Sequence, residues 1–369
     1  LSAKLLLAGY FGCGNLGDDA ILLGFLEAIK PLSIQATVMS GSPELTNRNY
    51  GVPAIPRRDT NILVGALHDC DALVFPGGSI FQDSTSVFSV KYYADLVRQA
   101  KKAGKKVIML AQGVGPLTSF FGKQMAARAF SSADLITVRD PASAAALKQL
   151  GVRQVPRITA DFAFLLPKPA AAENTSGFQV GDMRTVGISA RPLARNKTKE
   201  VVQIFGGLTR LLFEANLMPV LIEMDRELDG PLILEIEKTQ GGKVPDVRKL
   251  QTPGQLQARM SRMEAVIAMR LHAGLLAGAA GTLPFMVSYD PKVNALCTAF
   301  GLPAPLSFGQ LTAPRLFENF MAFYKDKDRH LRQIQSRLPG LREMALANVE
   351  ALVECLPGIS PPAYNEART

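Results

Sequence analysis

The residues best equipped for chemistry fall in one short stretch, Ala268-Met269-Arg270-Leu271-His272-Ala273-Gly274. Arg270 stands two positions before His272, one of three histidines in the chain, and small residues follow at helical spacing. A cation beside a helix N-terminus is unfavourable unless an anion joins it, so the pair reads as an anion site with a proton donor attached. The plainer reading is a buried histidine satisfied by backbone groups. Downstream, Ser288-Tyr289-Asp290-Pro291-Lys292-Val293 closes another apolar run and puts Lys292 at a second helix start. Arg, His and Lys then come from neighbouring strand ends, a set able to hold a phosphate or carboxylate without a metal. His68 and His330 lack such company.

Glycine-rich turns form a second group. Gly9-Tyr10-Phe11-Gly12-Cys13-Gly14-Asn15-Leu16-Gly17-Asp18-Asp19 contains the spacing GxGxxG between a strand and a helix. A dinucleotide site would place pyrophosphate on that helix. Asp18 and Asp19 set negative charge against it, and the second strand ends in Met39-Ser40-Gly41-Ser42 with no acid for a ribose. The expected arrangement is therefore an acid pair capping the helix, with Gly14 and Asn15 left to hydrogen-bond a neutral polyhydroxy ligand. Phe75-Pro76-Gly77-Gly78-Ser79-Ile80-Phe81-Gln82-Asp83 follows another strand, and Gln112-Gly113-Val114-Gly115-Pro116 follows the next. Gly77, Gly78, Ser79, Gln82, Asp83 and Gln112 are candidates for the same ligand, since open α/β sheets bind at strand C-termini. The alternative is a plain turn whose Ser and Thr cap the next helix. Arg139-Asp140 ends a further strand; its guanidinium could fork onto an anion or pair locally with Asp140 or Asp161.

These motifs need a scaffold that gathers strand ends on one edge. Apolar β-rich runs at 4–9, 34–40, 72–75, 107–111, 135–138 and 155–159 alternate with helical patterns at 18–29, 92–103 and 142–150. Alternation of this kind predicts a parallel sheet covered on both faces. After a stretch rich in small and helix-breaking residues, 168–184, a second series follows: strands at 186–190, 218–223, 265–269 and 284–288, with helices at 199–216, 228–239, 254–263, 272–278 and 292–300. Residues 314–356 read as helical with a break near Pro339-Gly340. The expectation is an α/β protein of two Rossmann-like domains, their parallel sheets facing a central cleft, on the GT-B plan: 1–167, a linker at 168–184, 185–313, and a helical tail at 314–369.

Composition narrows the class. With 47% hydrophobic and 20% charged residues, the 369-residue chain is globular, neither disordered nor collagen-like. No apolar run reaches the ~20 residues of a membrane span. The opening residues read as a fold element leading into the glycine loop, which predicts a cytoplasmic protein. The four cysteines stand singly, giving neither a zinc site nor a disulfide framework. Forty-one Lys and Arg against 32 Asp and Glu leave a charge of +9, favouring anionic partners. The segment 315–342, with Arg315, Lys325, Lys327, Arg329, Arg332, Arg337 and Arg342, reads as a basic helical face or a solvated surface.

Taken together, GYFGCGNLGDDAIL, FPGGSIFQDSTS, Val138-Arg139-Asp140, Gly187-Ile188-Ser189-Ala190-Arg191, Met269-Arg270-Leu271-His272 and Tyr289-Asp290-Pro291-Lys292-Val293 occur in the order of polysaccharide pyruvyl transferases. The chain resembles the CsaB type of that family from about Leu5 to Phe300. The resemblance implies a GT-B-like fold and transfer of pyruvyl from phosphoenolpyruvate to a sugar diol as a cyclic ketal. It further implies an N-acetylmannosamine acceptor in a lipid-linked cell-wall precursor. It makes 1–167 the acceptor side and 185–313 the phosphoenolpyruvate side. Arg139, Arg270, His272 and Lys292 become donor residues, with His272 as acid/base, and phosphoenolpyruvate is a co-substrate with no further cofactor. Gly14, Asn15, Asp18, Gly77, Gly78, Ser79, Gln82, Asp83 and Gln112 fall to the acceptor, with Asp83 or Asp18 as a base for its hydroxyl. Phe75-Pro76 departs from the serine or glycine that many members carry before the glycine pair. Two rivals stand beside this reading. One is a nucleotide-sugar glycosyltransferase on the same architecture; the other is a non-enzymatic basic module docking on anionic lipid or nucleic acid. A compatible version of the enzyme reading uses the 315–342 face to approach the inner surface of the cell membrane, with no nucleic acid involved.

Overall fold

The computed structural model describes residues 2–83, 86–167, 184–193, 195–242, 244–356 and 359. The expected linker, 168–184, lies outside them except for Arg184. The chain divides into two compact units. One holds Asp18–Leu166 with the residues before Gly14 and those from Pro339 on; the other holds Pro167–Leu338 with Gly14–Gly17.

In the first unit, strands β1 (Ala3–Leu7), β2 (Ile34–Ser40), β3 (Ala54–Pro56), β4 (Ala72–Phe75), β5 (Gly78–Phe81), β6 (Lys106–Val114), β7 (Leu135–Val138) and β8 (Arg157–Ile158) form the sheet. Helices α1 (Leu16–Ile29), α2 (Pro43–Tyr50), α3 (Thr60–Asp69), α4 (Val87–Lys102), α5 (Phe120–Ser131) and α6 (Pro141–Gln149) connect them. The order is β3-β2-β1-β4-β6-β7-β8, with β5 beside β6, and the pairs are parallel. The chain runs outward from β1 to β3 and returns to β4 on the other side, so the switch point lies above the C-terminal ends of β1 and β4. The glycine motifs follow those two strands.

Burial explains the strands. Leu5, Leu7, Val38, Val74, Ile108 and Leu110 face one core with Phe25 of α1, while Leu6, Met39, Leu73, Phe75, Val107 and Met109 face the other with Tyr93 and Leu96 of α4. Each fully buried Leu or Phe contributes roughly 1.5–3 kcal/mol.

The second unit repeats the plan with β9 (Arg184–Ser189), β10 (Leu217–Ile222), β11 (Asp246–Val247), β12 (Ala265–Ala268), β13 (Leu283–Ser288) and β14 (Leu306–Ser307), ordered β11-β10-β9-β12-β13-β14 and parallel. Its helices are α7 (Arg195–Glu214), α8 (Arg226–Thr239), α9 (Pro253–Met260), α10 (Leu271–Ala279), α11 (Pro291–Phe300) and α12 (Ala313–Lys325). Phe205 and Leu208 of α7, Ile233 and Ile236 of α8, and Leu316 and Phe320 of α12 bury one face of the sheet. Two parallel sheets flanked by helices are consistent with the GT-B-like fold of two Rossmann-like domains. Among the described residues, no helix is long and apolar enough to cross a membrane.

Three local expectations are corrected. Residues 78–81, read as a loop, form β5, because Ile80 and Phe81 find burial beside β6. The break expected at Pro339-Gly340 lies instead at Asp326, and α13 (Lys327–Cys355) runs through the proline. A mid-helix proline costs about 3 kcal/mol; burial of Ile334 before it and Ala345, Val349 and Leu352 after it offsets that. The unit boundary falls at this same proline, so the segment expected as a separate tail is shared between the units. Finally, a cap bond of α1 comes from Asn15, whose Oδ1 accepts the Gly17 N–H at 2.9 Å, while buried Asp19 turns back to accept the Gly12 N–H at 2.9 Å.

Candidate functional site

In the second unit, β9, β12 and β13 are neighbours, and the residues following each strand carry the chemistry. Arg270 follows β12 as the residue before α10, and its side chain makes no capping bond. Its guanidinium bonds Asp229 Oδ1 through Nη2 and lies 3.9 Å from Asp225 Oδ2 through Nη1. Burial works against the Arg270 cation, but the Asp229 and Asp225 carboxylates override it and hold the group above its ordinary pKa. Arg270 Nε is buried without a partner. Asp229 is fully buried, its other oxygen accepting the Met224 and Asp225 N–H groups at 3.1 and 3.0 Å.

His272 occupies the first turn of α10, partly exposed. Gly17 packs on it so closely that a Cβ there would sit 2.6 Å from Nδ1. Gly17 arrives with Gly14–Leu16, which dock on the β10–α8 connection: Leu16 N–H donates to Met224 O, Arg226 N–H to Gly14 O, and Asn15 Nδ2 to Asp225 Oδ2 at 3.4 Å. The glycine loop thus supports the histidine, and Asn15 is used structurally at both ends of its amide. Lys292, at the start of α11, lies 3.5 Å from Asp290, which caps that helix. Tyr289 carries Arg191 on its ring at 4.6 Å, with Lys292 Nζ 5.9 Å from the same ring.

In the first unit, Gly77 and Gly78 adopt φ of +139° and +88°, conformations that side chains disfavour, and a Cβ on Gly78 would lie 3.3 Å from Asp18 Oδ1. Ser79 accepts from Arg139 Nη2 at 2.9 Å, and Arg139 Nη1 meets Asp161 at 2.7 Å. Of the two readings open for Arg139, the structure displays local pairing: its side chain is 6% exposed and satisfied by Asp161, Ser79 and, at 3.8 Å, Asp140. Gly113 makes room for this arrangement, since a Cβ there would fall 2.5 Å from Ser79 Oγ.

Asp83 spends its carboxylate on four bonds from the backbone and hydroxyls of Thr118 and Ser119, 2.6–3.1 Å long. Slight burial pushes its pKa up, but those bonds pull it below the ordinary value, an environment unsuited to a base. Gln82 is half-buried in the same turn. Gln112 is fully buried, its Nε2 donating to the Phe75 and Leu110 carbonyls while its Oε1 is buried without a partner. The backbone that places it has Ala111 at φ +45° where the β6–β7 register shifts. Asn348 of α13 holds that bulge, accepting from Ala111 N–H at 3.1 Å and Thr159 Oγ1 at 2.8 Å and donating to Ala160 O at 3.0 Å.

The first unit therefore presents Asp18 and the glycine pair around a polar strand edge, and the second presents the cations and the histidine. The polysaccharide pyruvyl transferase model matches residues 15–291, more than half of the chain, a span that contains Asp18, the glycine pair, Arg270 and His272 and ends one residue before Lys292. The chain belongs to the polysaccharide pyruvyl transferase family. No curated protein matches the sequence. Among solved structures, the S. aureus MnaA–UDP complex superposes with TM-score 0.68 at 11% identity, covering 96% of this chain and 98% of that one. The Neisseria meningitidis UDP-GlcNAc 2-epimerase bound to UDP-GlcNAc gives 0.61 at 11% identity over 96% and 100%. A Rickettsia africae glycosyltransferase gives 0.59 at 9% over 97% and 99%. At such identities the likeness concerns the fold.

Residues that sequence reasoning missed are Asp225 and Asp229, Gly17 as the seat of His272, Tyr289 as the seat of Arg191, and Asn348. The acids lie at and inside α8, where a local pattern reads only a polar helix face.

Proposed function

We propose that the chain transfers the pyruvyl group of phosphoenolpyruvate to a sugar diol, releasing phosphate. The observation that carries this reading is the conjunction, in one unit, of Arg270, His272 and Lys292 at adjoining strand ends, with Arg270 and His272 at the N-terminus of α10. Family membership supports it. In this reading, phosphoenolpyruvate meets fixed positive groups in place of solvent. Two sugar oxygens bond to C2, the C2–O bond to phosphate breaks, and of the two hydroxyl protons one goes to the methylene and one to phosphate. His272 acts as the acid/base. Arg139, buried on Asp161, would reach donor only by exchanging partners. Asp18, beside the glycine pair, is the acceptor base we propose, and Asp83 serves to hold Thr118 and Ser119. The acceptor we propose is an N-acetylmannosamine 4,6-diol on a lipid-linked cell-wall precursor, reached in the cytoplasm at the inner membrane face. Exposed Arg315, Lys325, Arg329, Arg332 and Arg337 suit approach to anionic lipid.

A second reading, a nucleotide-sugar enzyme, draws support from the fold shared with proteins solved as UDP and UDP-GlcNAc complexes. Calorimetric titration with phosphoenolpyruvate and with UDP separates the two. The first reading expects phosphoenolpyruvate to bind and H272A to lower turnover by about 100-fold or more while leaving that binding within about threefold. UDP binding without phosphoenolpyruvate binding would replace it with the second.

A further inference from the structure

Three strand ends in the second unit supply cations, and two of those cations are already matched by acids: Arg270 by Asp229 and Asp225, and Lys292 by Asp290. The third, Arg191, follows β9 and has no carboxylate within ion-pair distance among the described residues. Its side chain instead donates to Pro192 O at 3.4 Å and to the Tyr289 hydroxyl, and its guanidinium stands over the Tyr289 ring. Tyr289 comes from the end of β13, so β9 and β13 reach toward each other past β12, which lies between them. Ser189 and Ala268 are register partners, which places Arg191 and Arg270 two residues beyond the same rung of the ladder. Two polar atoms at these strand ends are buried without partners: the Ser189 hydroxyl, on a residue fully buried, and Arg270 Nε. Both are donors. A buried donor lacking an acceptor costs about 1–3 kcal/mol, so the acceptor is expected from outside.

We infer that Arg191, seated on Tyr289, is an anion-binding residue for the phosphate of the donor, and that Tyr289 is its positioning residue. The inference rests on the reading that this unit binds phosphoenolpyruvate. Stacking on Tyr289 pre-orders the guanidinium while leaving its remaining N–H groups for a fork onto a tetrahedral oxyanion.

The test is calorimetric titration of the full chain with phosphoenolpyruvate, inorganic phosphate and UDP, together with steady-state phosphate release, for wild type, R191M, R191K and Y289F. The expected result is a 10–100-fold rise in Kd and KM for phosphoenolpyruvate in R191M, from loss of a charge-assisted bond. A smaller change in kcat, partial rescue in R191K, a rise between these in Y289F, and an unshifted thermal midpoint complete the expectation. R191M binding phosphoenolpyruvate as wild type does would overturn the inference and leave the proposed function standing. Wild type binding UDP but not phosphoenolpyruvate would overturn the proposed function and, with it, the inference that rests on it. Wild type binding none of the three anions overturns both.

Discussion

Gly17 is a residue whose identity is dictated by a neighbour. A methyl group added there would overlap the His272 ring, so G17A must displace the imidazole. If His272 is the acid/base, kcat in G17A falls roughly 10–100-fold with KM for phosphoenolpyruvate changed less than about threefold; an unchanged kcat would remove His272 from that role. Asp19 offers a test of a different kind. Burial raises its carboxyl to about 7, against the opposing Gly12 N–H bond and with the adjacent Asp18 charge adding to the rise. The unfolded chain, with the ordinary value of 3.8, loses this proton first as pH rises, so stability falls between about pH 4 and 7 and then levels. D19N is expected to abolish that slope and to exceed wild type at pH 8 by up to ~4 kcal/mol. Urea midpoints that fall in parallel for both proteins would show that Asp19 is ionised throughout. At this scale, Arg270, His272 and Lys292 were legible in sequence because each sits where an apolar strand gives way to a helix start. Arg191 on Tyr289 was not, since a stacked pair 98 positions apart leaves no local signal.

Among the elements, α13 shows how a segment without a recognisable motif shapes a site. Asn348, fully buried, satisfies the Ala111 N–H and the Thr159 hydroxyl and so holds the bulge through which β6 reaches Gln112 and Gly113. N348A removes this shared acceptor, leaving the Ala111 N–H with Thr137 Oγ1 and the Thr159 hydroxyl with Val138 O, and is expected to destabilise the chain by about 1–3 kcal/mol. N348D, which keeps Oδ1, should recover part of the loss; equal denaturant midpoints for N348A and wild type would deny the bulge this support. The strands with continuous apolar runs were legible as sequence because both faces of each sheet are covered. Helix α2, with its polar text PELTNRNY, and α5, which opens on the exposed pair Phe120 and Phe121, lack an apolar face strong enough to announce a helix. Strand β11, two residues long, exists only through its parallel neighbour, whereas β8 falls inside the run 155–159 read from sequence.

Across the whole molecule, the two-sheet plan follows from alternation along the chain, whereas the division into units does not follow chain order. Gly14–Gly17 groups with the later unit and the residues beyond Pro339 return to the earlier one, because docking onto Met224 and Arg226, and burial of Val349 and Leu352, are settled by tertiary contacts. The central claim concerns what this assembly does. The measurement that tests it most directly is phosphate release from phosphoenolpyruvate in the presence of a synthetic lipid-linked disaccharide ending in N-acetylmannosamine, with mass analysis of the product. The account predicts acceptor-dependent release of phosphate and a product heavier by one ketal-linked pyruvyl group. An acceptor returned unmodified with no phosphate released, from protein that binds UDP and not phosphoenolpyruvate, would contradict it.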